Sequence, residues 1–358
     1  MSERPLRPRV LTGDRPTGPL HLGHLVGSLR SRVAMQDDHA CYVLIADLHA
    51  LSTRSDRERL DAMGAHVRAI VTDLLAAGID PARTTVYLQS AVPAVYDLAV
   101  LLQMITPRRK LEELPSLAAM AEAARIAAGD VTLGLLGYPV LQAADILMAR
   151  AEIVPVGADN VERVELARTL AATFNERYGD VFPLPAPHVG KVPVLPGVEI
   201  GPAGSRRKMS KSLGNTVWLS DPPETVADKL ATLRRLEGVA DEDQPVAVFA
   251  RAFLPEDEAD EAVRDWAADR LSTGAILERI TRAVLDELEP IRARRAEIEA
   301  EPDLVDEVLV DGTIRARDVA YATLENVRRA MGFADFWDRA VEAAHARSKA
   351  RKSPYGTP

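Results

Sequence analysis

Hydrophobic and polar positions alternate along the first two thirds of the chain in a way that predicts strands and helices in turn. Short apolar runs bounded by turn residues predict strands. These runs cover 9–13, 40–51, 84–90 and 151–157. Longer segments with apolar residues three or four apart predict helices. These segments start at Leu20, 55 and 158. The alternation is typical of an α/β fold, here a Rossmann-like doubly wound parallel sheet.

Residues at the ends of two predicted helices support their placement. Ser55 is expected to cap the helix over 55–78, and Gly78 is expected to stop it. Asp159 or Asn160 is expected to start the helix over 158–179, with Gly179 after it.

The last third of the chain has a helical pattern, with almost no strand signal after "TVWLS" (216–220). One apolar stripe at helical spacing comprises Leu277, Ile280, Val284, Leu288 and Ile291. We therefore expect three parts, a catalytic α/β domain, a C-terminal all-helical domain and a disordered basic tail. Their bounds are 1–220, 221–345 and 346–358.

Composition narrows the class of protein. The chain has 358 residues, 47% of them hydrophobic, which is ample for a large core. A net charge of -9 argues against a globally basic nucleic-acid binder, so a nucleic acid would have to meet local basic patches. The single cysteine, Cys41, excludes an internal disulfide and fits a reducing cytoplasm. No apolar run is long enough to span a membrane.

Two histidines stand three residues apart in "PTGPLHLGHLVGS" (16–28), after the first predicted strand. His21 and His24 could ligate a metal, although no third ligand stands out. They could instead add donors to a phosphate site at a helix N-terminus, where Gly23 lets the backbone approach a ligand. Two ordinary surface histidines explain the tetrapeptide equally well.

A second motif, "KMSKS" (208–212), lies in a stretch rich in glycine and proline. Lys208 and Lys211 could present two point charges to a transferred group that gains charge. A solvated basic loop is the plainer alternative. Neither a P-loop nor a dinucleotide-binding glycine fingerprint is present in the sequence.

The two motifs in this order resemble the class I aminoacyl-tRNA synthetases, whose signatures are HIGH and KMSKS. The stretches "TGDRPTGPLHLGHLVGSL", "ADLHALS", "GLLGYPVLQAADIL" and "VPVGADNVERVELARTLAATFNERYG" narrow the resemblance to the tryptophanyl/tyrosyl subgroup, and look like its bacterial tryptophanyl members. The likeness runs from about residue 9 to residue 220, with a plausible helical remainder.

This resemblance implies that ATP activates L-tryptophan for transfer to tRNA(Trp), with Mg²⁺ arriving on ATP rather than in a protein cage. The implied catalytic residues are His21, His24, Lys208 and Lys211. The implied ATP contacts are Arg15, Pro16, Thr17, Gly23, His24, Gly157, Ala158, Asp159, Val194, Lys208, Met209, Ser210, Lys211 and Ser212. The implied substrate contacts are Asp145, Tyr138, Gln142, His49, Leu11, Gly13, Val154, Val156 and Asn160.

Three departures from the subgroup bear on substrate binding. Gln142 stands where many relatives have methionine, and glutamine there also occurs in tyrosyl enzymes. Asn160, in "GADN", replaces a longer residue at a position that helps to bind the polar end of the substrate. "LEELPSLAAM" (111–120) lacks a lysine that many relatives carry in a mobile segment.

Alternatives to a tryptophan–tRNA ligase remain open from the sequence. The nearest is a tyrosine–tRNA ligase of the same fold, followed by a synthetase-like binding or regulatory protein. A histidine metal enzyme comes last for want of ligands. The resemblance also implies a cytoplasmic homodimer that binds ATP, L-tryptophan and tRNA and has no membrane partner.

Overall fold

A computed structural model describes residues 7–53, 55–157, 160–189, 194–198 and 207–351. Its sheet has five strands, and every pairing is parallel. The strands are β1 (Arg9–Asp14), β2 (Ala40–Ile45), β3 (Thr84–Leu88), β4 (Ile153–Val156) and β5 (Ala186–Val189). Their order across the sheet is β3-β2-β1-β4-β5. The order reverses direction between β1 and β4, which is where doubly wound sheets bind ligands at the carboxyl ends of the strands.

Helices cover both faces of this sheet, as the alternating pattern predicts. In the catalytic region they are α1 (Leu22–His24), α2 (Arg30–Met35), α3 (Asp47–Ala50), α4 (Arg57–Ala76), α5 (Ala94–Gln103), α6 (Arg108–Glu112), α7 (Pro115–Ala123), α8 (Leu133–Met148) and α9 (Val161–Tyr178). Beyond it they are α10 (Pro223–Leu230), α11 (Pro245–Phe253), α12 (Glu256–Ala267), α13 (Thr273–Ala300), α14 (Leu304–Ala330) and α15 (Phe333–Arg351). The α/β class and the helical C-terminal region are both confirmed.

The predicted strand over 40–51 is too long. The strand ends at Ile45, and α3 follows at once. The side chain of Asp47 explains the break, because its Oδ1 accepts hydrogen bonds from the backbone N–H groups of Leu48 (3.1 Å) and Ser90 (2.9 Å). A carboxylate that binds backbone donors in this way competes with the strand ladder.

Two helix starts also differ from the sequence prediction. Asp56, rather than Ser55, caps α4, since its carboxylate accepts a hydrogen bond from the N–H of Arg59 (3.0 Å). The first helix begins after His21 and includes a π-helical turn over Leu25–Leu29. The expected stop signals hold: Gly78 and Gly179 follow their helices with φ of 107° and 102°.

The strand signal at 216–220 corresponds to a single antiparallel bridge between Trp218 and His21. Strand β5 was not predicted from the sequence. It contains Pro187, and proline is disfavoured inside a strand. It is tolerated because β5 lies at the edge of the sheet.

Two apolar cores fill the spaces on either side of the sheet. One joins Val43 and Val86 of the sheet to Ile70 of α4, and it continues into α13 through Ile280 and Val284. All five residues of the predicted stripe on α13 are buried. The other core joins the sheet to α5, α8, α9 and α14.

Helix α14 lies directly on β3. An added Cβ on Gly312 would sit 1.8 Å from the carbonyl oxygen of Val86, so only glycine permits this approach. Beside it, the N–H of Leu88 donates a hydrogen bond to Oγ1 of Thr313 (3.3 Å). The helical region is therefore packed against the parallel sheet at backbone distance.

Helix α15 extends beyond the predicted end of the helical domain at residue 345. It includes residues 346–351 of the tail that was predicted to be disordered. Residues 352–358 lie outside the described part. None of the helices in the described ranges is both long and apolar enough to cross a membrane.

Candidate functional site

The carboxyl ends of β1, β2 and β4 bring the sequence-predicted residues together. Asp14 ends β1, and the turn from Arg15 to Gly18 leads from it to His21. Gly157 follows β4, and α3 with His49 follows β2. The predicted ATP and amino acid residues thus meet at the switch point between β1 and β4.

His21 and His24 form a reciprocal cap at the start of α1. Nδ1 of His21 accepts a hydrogen bond from the N–H of Gly23 (3.1 Å), and Nδ1 of His24 accepts one from the N–H of His21 (3.3 Å). The two ring centroids are 3.9 Å apart. Because each Nδ1 is an acceptor, each neutral imidazole carries its proton on Nε2. The pair is therefore set up as two Nε2 donors rather than as two cations.

Electrostatics favour the same neutral state. Burial lowers the pKa of His21 to about 2, with repulsion from His24, Lys211 and Lys208 added to it. Burial also lowers the pKa of His24 to about 4, although the nearby carboxylate of Asp14 opposes the shift. Both histidines are consequently uncharged at neutral pH.

Gly23 allows the second motif to lie against the first. A Cβ added there would sit 2.9 Å from Cε1 of His21 and 3.6 Å from Cβ of Met209. Met209 is itself buried, with 2% of its surface exposed. The "HLGH" and "KMSKS" segments are therefore in direct contact across Gly23.

Backbone pairing holds the same two regions together. The N–H of Leu22 donates to the carbonyl of Val217 (2.9 Å), and the N–H of Leu219 donates to the carbonyl of Leu20 (3.1 Å). The N–H of Leu20 also donates to the buried carboxylate of Asp73 on α4 (2.6 Å). That carboxylate forms an ion pair with Arg295 of α13.

Lys211 reaches across this junction, and its Nζ donates to the carbonyl oxygen of Gly18 (2.5 Å). Burial lowers the pKa of Lys211 to about 8, while Asp14 and Asp73 oppose that shift. Lys208 is exposed and forms an isolated bridge with Pro196. Of the two lysines on either side of Met209, Lys208 is therefore exposed and Lys211 half-buried.

Asn215 braces the lysine loop from below. Its Oδ1 accepts from the N–H of Ser210 (2.8 Å), and its Nδ2 donates to the carbonyl of Lys208 (3.3 Å). An added Cβ on Gly197 would sit 1.9 Å from that Nδ2, so glycine is required opposite the amide. The loop conformation therefore depends on Asn215 and Gly197 together.

Asp14 supplies negative charge beneath the histidines. Burial alone would raise the pKa of this carboxyl, but the ion pair with Arg32, together with the positive charge of Lys211, lowers it overall. Asp14 is thus ionised and partly neutralised by Arg32, which is buried at 6% exposure.

The predicted amino acid pocket contains a buried carboxylate with two donors. Oδ2 of Asp145, 2% exposed, lies 3.0 Å from Nε2 of His49 and accepts from Nε2 of Gln89 (2.7 Å). Gln89 in turn accepts from the N–H of His49 through Oε1 (3.3 Å). Burial raises the pKa of Asp145, and His49 and Gln89 oppose that shift.

Tyr138, Gln142 and Asp145 share one face of α8, as their spacing predicts. The ring of Tyr138 packs edge-on against His49, with 6.1 Å between centroids. Its hydroxyl donates to Oγ of Ser116 on α7 (3.2 Å). Gln142 is half-buried. The three side chains therefore belong to one continuous surface.

The other predicted residues are distributed around this surface. Leu11 and Val154 are buried in the second core, and Val156 is half-buried against it. A Cβ on Gly13 would sit 2.7 Å from the carbonyl oxygen of Leu44, so glycine is needed for strand packing there. Val194 is 51% exposed. Asn160 caps α9 by position, without a side-chain hydrogen bond to the helix.

Two predicted ATP contacts, Ala158 and Asp159, lie outside the described residues. For Ser212 only the backbone is described, within the short 3-10 turn Lys211–Leu213. Pro16 is buried and Arg15 exposed in the turn after β1, where the N–H of Thr17 donates to the carbonyl of Arg15 (2.8 Å).

Sequence reasoning missed the residues that support the site from neighbouring elements. Gln89 is the last but one residue of "TTVYLQS" (84–90), and a polar residue at the carboxyl end of a parallel strand was the available signal. Asn215 follows "KMSKSLG" directly, and its brace is visible only in three dimensions. Asp14 and Arg32 are 18 positions apart and gave no local signal.

The doubly wound sheet with "HLGH" and "KMSKS" in contact at its switch point defines a class I aminoacyl-tRNA synthetase core. The sequence profile of the tRNA synthetases class I (W and Y) matches residues 3–261, and the chain belongs to this family.

Relatives within the family are similar over most of their length. A tryptophan–tRNA ligase of Treponema pallidum is 45% identical over 337 residues, which cover 90% of this chain and 96% of that protein. One of Chlamydia caviae is 38% identical over 344 residues, covering 92% and 97%. Among solved structures, the tryptophanyl-tRNA synthetase of Campylobacter jejuni complexed with ADP and tryptophan matches with a TM-score of 0.74 at 29% identity, covering 90% of this chain and 99% of that one.

Proposed function

We propose that the chain is a tryptophan–tRNA ligase, which activates L-tryptophan with ATP and transfers it to the 3′ end of tRNA(Trp). The observation that carries this assignment is the buried carboxylate of Asp145 in a pocket beside the paired synthetase motifs. Indole has one hydrogen-bond donor, its ring N–H, and a buried carboxylate is a matching acceptor. The similarity to tryptophan–tRNA ligases supports the same substrate.

In the activation step, the carboxylate of tryptophan attacks the α-phosphorus of ATP, and the bond to the leaving pyrophosphate breaks. The Nε2 donors of His21 and His24 are assigned to the phosphates. Lys208 and Lys211 are assigned to the charge that grows on the pyrophosphate. Mg²⁺ enters as part of the ATP substrate and offsets charge on the phosphate oxygens. The chain itself contributes mainly position and neutralisation.

In the transfer step, a ribose hydroxyl of the terminal tRNA adenosine attacks the carbonyl carbon of the adenylate and loses its proton. The ester to the ribose forms, the acyl–phosphate bond breaks, and AMP leaves. We assign recognition of the rest of the tRNA to the helical region over 221–345. Its arginines include Arg234 and Arg235 after α10, and Arg328 and Arg329 at the end of α14. Such side chains can contact phosphates even though the total charge is negative. The reaction belongs to the cytoplasm, where charged tRNA is used.

The direct test of the activity is amino-acid-dependent ATP–pyrophosphate exchange, run over a panel of amino acids. Tryptophan is expected to drive exchange, and tyrosine and phenylalanine are not. Tyrosine-dependent exchange without a response to tryptophan would establish the tyrosine–tRNA ligase instead. Absence of exchange with every amino acid, together with retained ATP binding, would favour a regulatory protein.

We also assign a homodimer to the functional protein, on the family resemblance. Exposed apolar side chains on α5 and at its C-cap, namely Tyr96, Val100 and Met104, repeat every four residues and form one stripe that a second subunit could cover. Light scattering at micromolar concentration is expected to give about twice the mass of the chain. A monomer alone would remove this assignment.

A further inference from the structure

One guanidinium beside the amino acid pocket has not been assigned a role. Arg163 lies in the first turn of α9, and its Cζ is 5.2 Å from the centroid of the Tyr138 ring. Its Nε is buried and has no hydrogen-bond partner among the described residues. Within the part of the chain that the structure describes, Nη2 donates to the thioether of Met120, at 3.8 Å, which is a weak acceptor. Arg163 as a whole is half-buried, but a buried N–H of a charged group without a good acceptor is costly, and a bound anion would satisfy it.

Arg163 stands at one end of a row of polar and aromatic groups. Asp145 lies 3.0 Å from Nε2 of His49, the His49 ring packs 6.1 Å from Tyr138, and Tyr138 lies under Arg163. The row therefore runs from a buried carboxylate to a guanidinium. A ligand with a neutral N–H donor at one end and an anionic group at the other matches that polarity.

Neighbouring charges strengthen the anionic preference at the Arg163 end. Glu162, the adjacent carboxylate, faces α7 and accepts a hydrogen bond from the N–H of Ser116 (2.8 Å). The pKa of Arg15 is lowered, first by desolvation and next by repulsion from Arg163. An anion between these two cations would relieve their repulsion.

We propose that Arg163 binds the carboxylate of the amino acid substrate and holds it for attack on ATP. This inference rests on the proposed function, since it takes tryptophan as the occupant of the pocket. The ring N–H faces Asp145 and the carboxylate faces Arg163. The guanidinium can stay hydrogen-bonded to the carboxylate oxygen of tryptophan that forms the bond to the α-phosphorus. Arg163 is thus a substrate-binding residue that acts on the end of tryptophan opposite to Asp145.

The test compares tryptophan with tryptophanol, the alcohol that keeps the indole and the amino group but lacks the carboxylate. Both are measured on Arg163→Gln, tryptophan by its KM in pyrophosphate exchange and by calorimetry, and tryptophanol by its inhibition constant. We expect tryptophan to bind about tenfold to a hundredfold more weakly. Tryptophanol is expected to bind as it does to the wild-type protein. Arg177→Gln, an exposed arginine on the same helix, is the matched control and should change neither.

A structural role for Arg163 gives a different result, because a disturbed pocket would weaken both ligands in equal proportion. Equal weakening, or unchanged tryptophan binding, overturns the proposal. A higher KM for ATP with unchanged tryptophan affinity would assign the cation to the triphosphate and also overturn it. If Arg163→Gln does not fold, Arg163→Lys carries the same comparison, since it keeps the alkyl stem and loses the planar fork. Wild-type exchange driven by another amino acid would refute the tryptophan assignment alone.

Discussion

At the scale of single residues, Asp145 makes the sharpest prediction. Asp145→Asn keeps the shape of the side chain but replaces one oxygen by an amide that faces the donors of His49 and Gln89. The indole N–H then loses a charged acceptor, which is worth about 1.5–3 kcal/mol. We expect the KM for tryptophan to rise about tenfold to a hundredfold in pyrophosphate exchange, and selectivity over phenylalanine to fall.

Asp61→Asn is the control for that experiment, because Asp61 is exposed and pairs with Arg57 on the outer face of α4. It should leave both quantities unchanged. Full retention of tryptophan selectivity in a folded Asp145→Asn protein would show that the carboxylate does not bind the indole N–H.

The two motif histidines predict a specific loss of stability in acid. Their pKa values, about 2 for His21 and about 4 for His24, lie below the value of an unfolded histidine. Below pH 6.5 the unfolded chain therefore binds more protons than the native one, and the free energy of unfolding falls as the pH falls. At pH 5 the loss from each histidine is about 2 kcal/mol.

Urea unfolding at pH 7 and pH 5 measures this effect when wild type is compared with His24→Gln. The variant cannot gain that proton, so its stability should fall less between the two pH values. The exposed His345→Gln, on α15, is the matched control and should fall as wild type does. An identical fall in His24→Gln and wild type would mean that His24 is not held neutral by the fold.

The spacing of residues predicted the histidine pair of "HLGH", the lysine pair of "KMSKS" and the face of α8 that bears Tyr138, Gln142 and Asp145. It could not show that Gln89 and His49 arrive from other strand ends to hold Asp145. Local periodicity describes one element at a time, and such contacts depend on how the sheet orders its strands. The brace from Asn215 escaped prediction for the same reason.

At the scale of elements, the lysine loop is expected to act on the transition state. Lys211→Ala should slow adenylate formation by about a hundredfold, since removing one donor from such a site costs about 3 kcal/mol. Tryptophan binding should change little, because the lysine meets charge that grows during the reaction. Single-turnover kinetics and tryptophan calorimetry separate the two effects. Lys229→Ala, a lysine paired with Asp221 outside the loop, is the control.

If Lys211→Ala leaves the activation rate unchanged, the loop is a solvated basic segment and the catalytic assignment fails. The same measurement on Gly197→Ala tests the brace, because the new Cβ would displace the Asn215 amide. Its activation rate should fall although no lysine has been removed.

The contact between α14 and β3 predicts opposite effects for two glycine substitutions. Gly312→Ala should lower the free energy of unfolding by about 1–3 kcal/mol, because the new Cβ overlaps the backbone of Val86. Gly274→Ala in α13 meets nothing within 4 Å and should raise it by up to about 1 kcal/mol. Thermal melting of both variants measures the contrast. A stabilised Gly312→Ala would mean that the helix does not sit against the strand.

Boundaries of elements were less predictable than their order. The apolar run over 40–51 has the composition of one strand. The carboxylate of Asp47 nevertheless accepts a hydrogen bond from the backbone N–H of Leu48, and a helix begins at Asp47. Strand β5 carries Pro187, which the pairing of an edge strand tolerates. In both places a contact with another part of the chain decides the outcome, so the local pattern placed the end of β2 wrongly and missed β5.

At the scale of the whole molecule, the helical region is predicted to affect tRNA charging but not amino acid activation. Arg328 forms an exposed ion pair with Asp97. Arg235 pairs with Asp241 and Asp269, and its guanidinium also lies 4.3 Å from the centroid of the Trp266 ring. Such pairs are worth little and can be exchanged for phosphates. Arg328→Gln and Arg235→Gln should raise the KM for tRNA and leave pyrophosphate exchange intact.

The salt dependence of tRNA binding checks the mechanism behind that effect. Each lost phosphate contact should reduce the slope of log affinity against log salt by about 1. Arg282→Gln, on the exposed face of α13 and paired with Glu278, is the comparison variant. Equal loss of exchange and charging would move these arginines into the activation machinery.

The seating of α14 on β3 has a consequence for how the polypeptide can be made. β3 is a border strand of the sheet, and the helix that shields it is specified more than two hundred residues later. A nascent or truncated chain that has the sheet but lacks the helix would present unpaired peptide groups to its neighbours, which is the template for aggregation. During translation, β3 therefore stays uncovered until α14 has been synthesised. Expression of the sheet-containing region without the C-terminal helices should give insoluble protein rather than soluble but inactive protein.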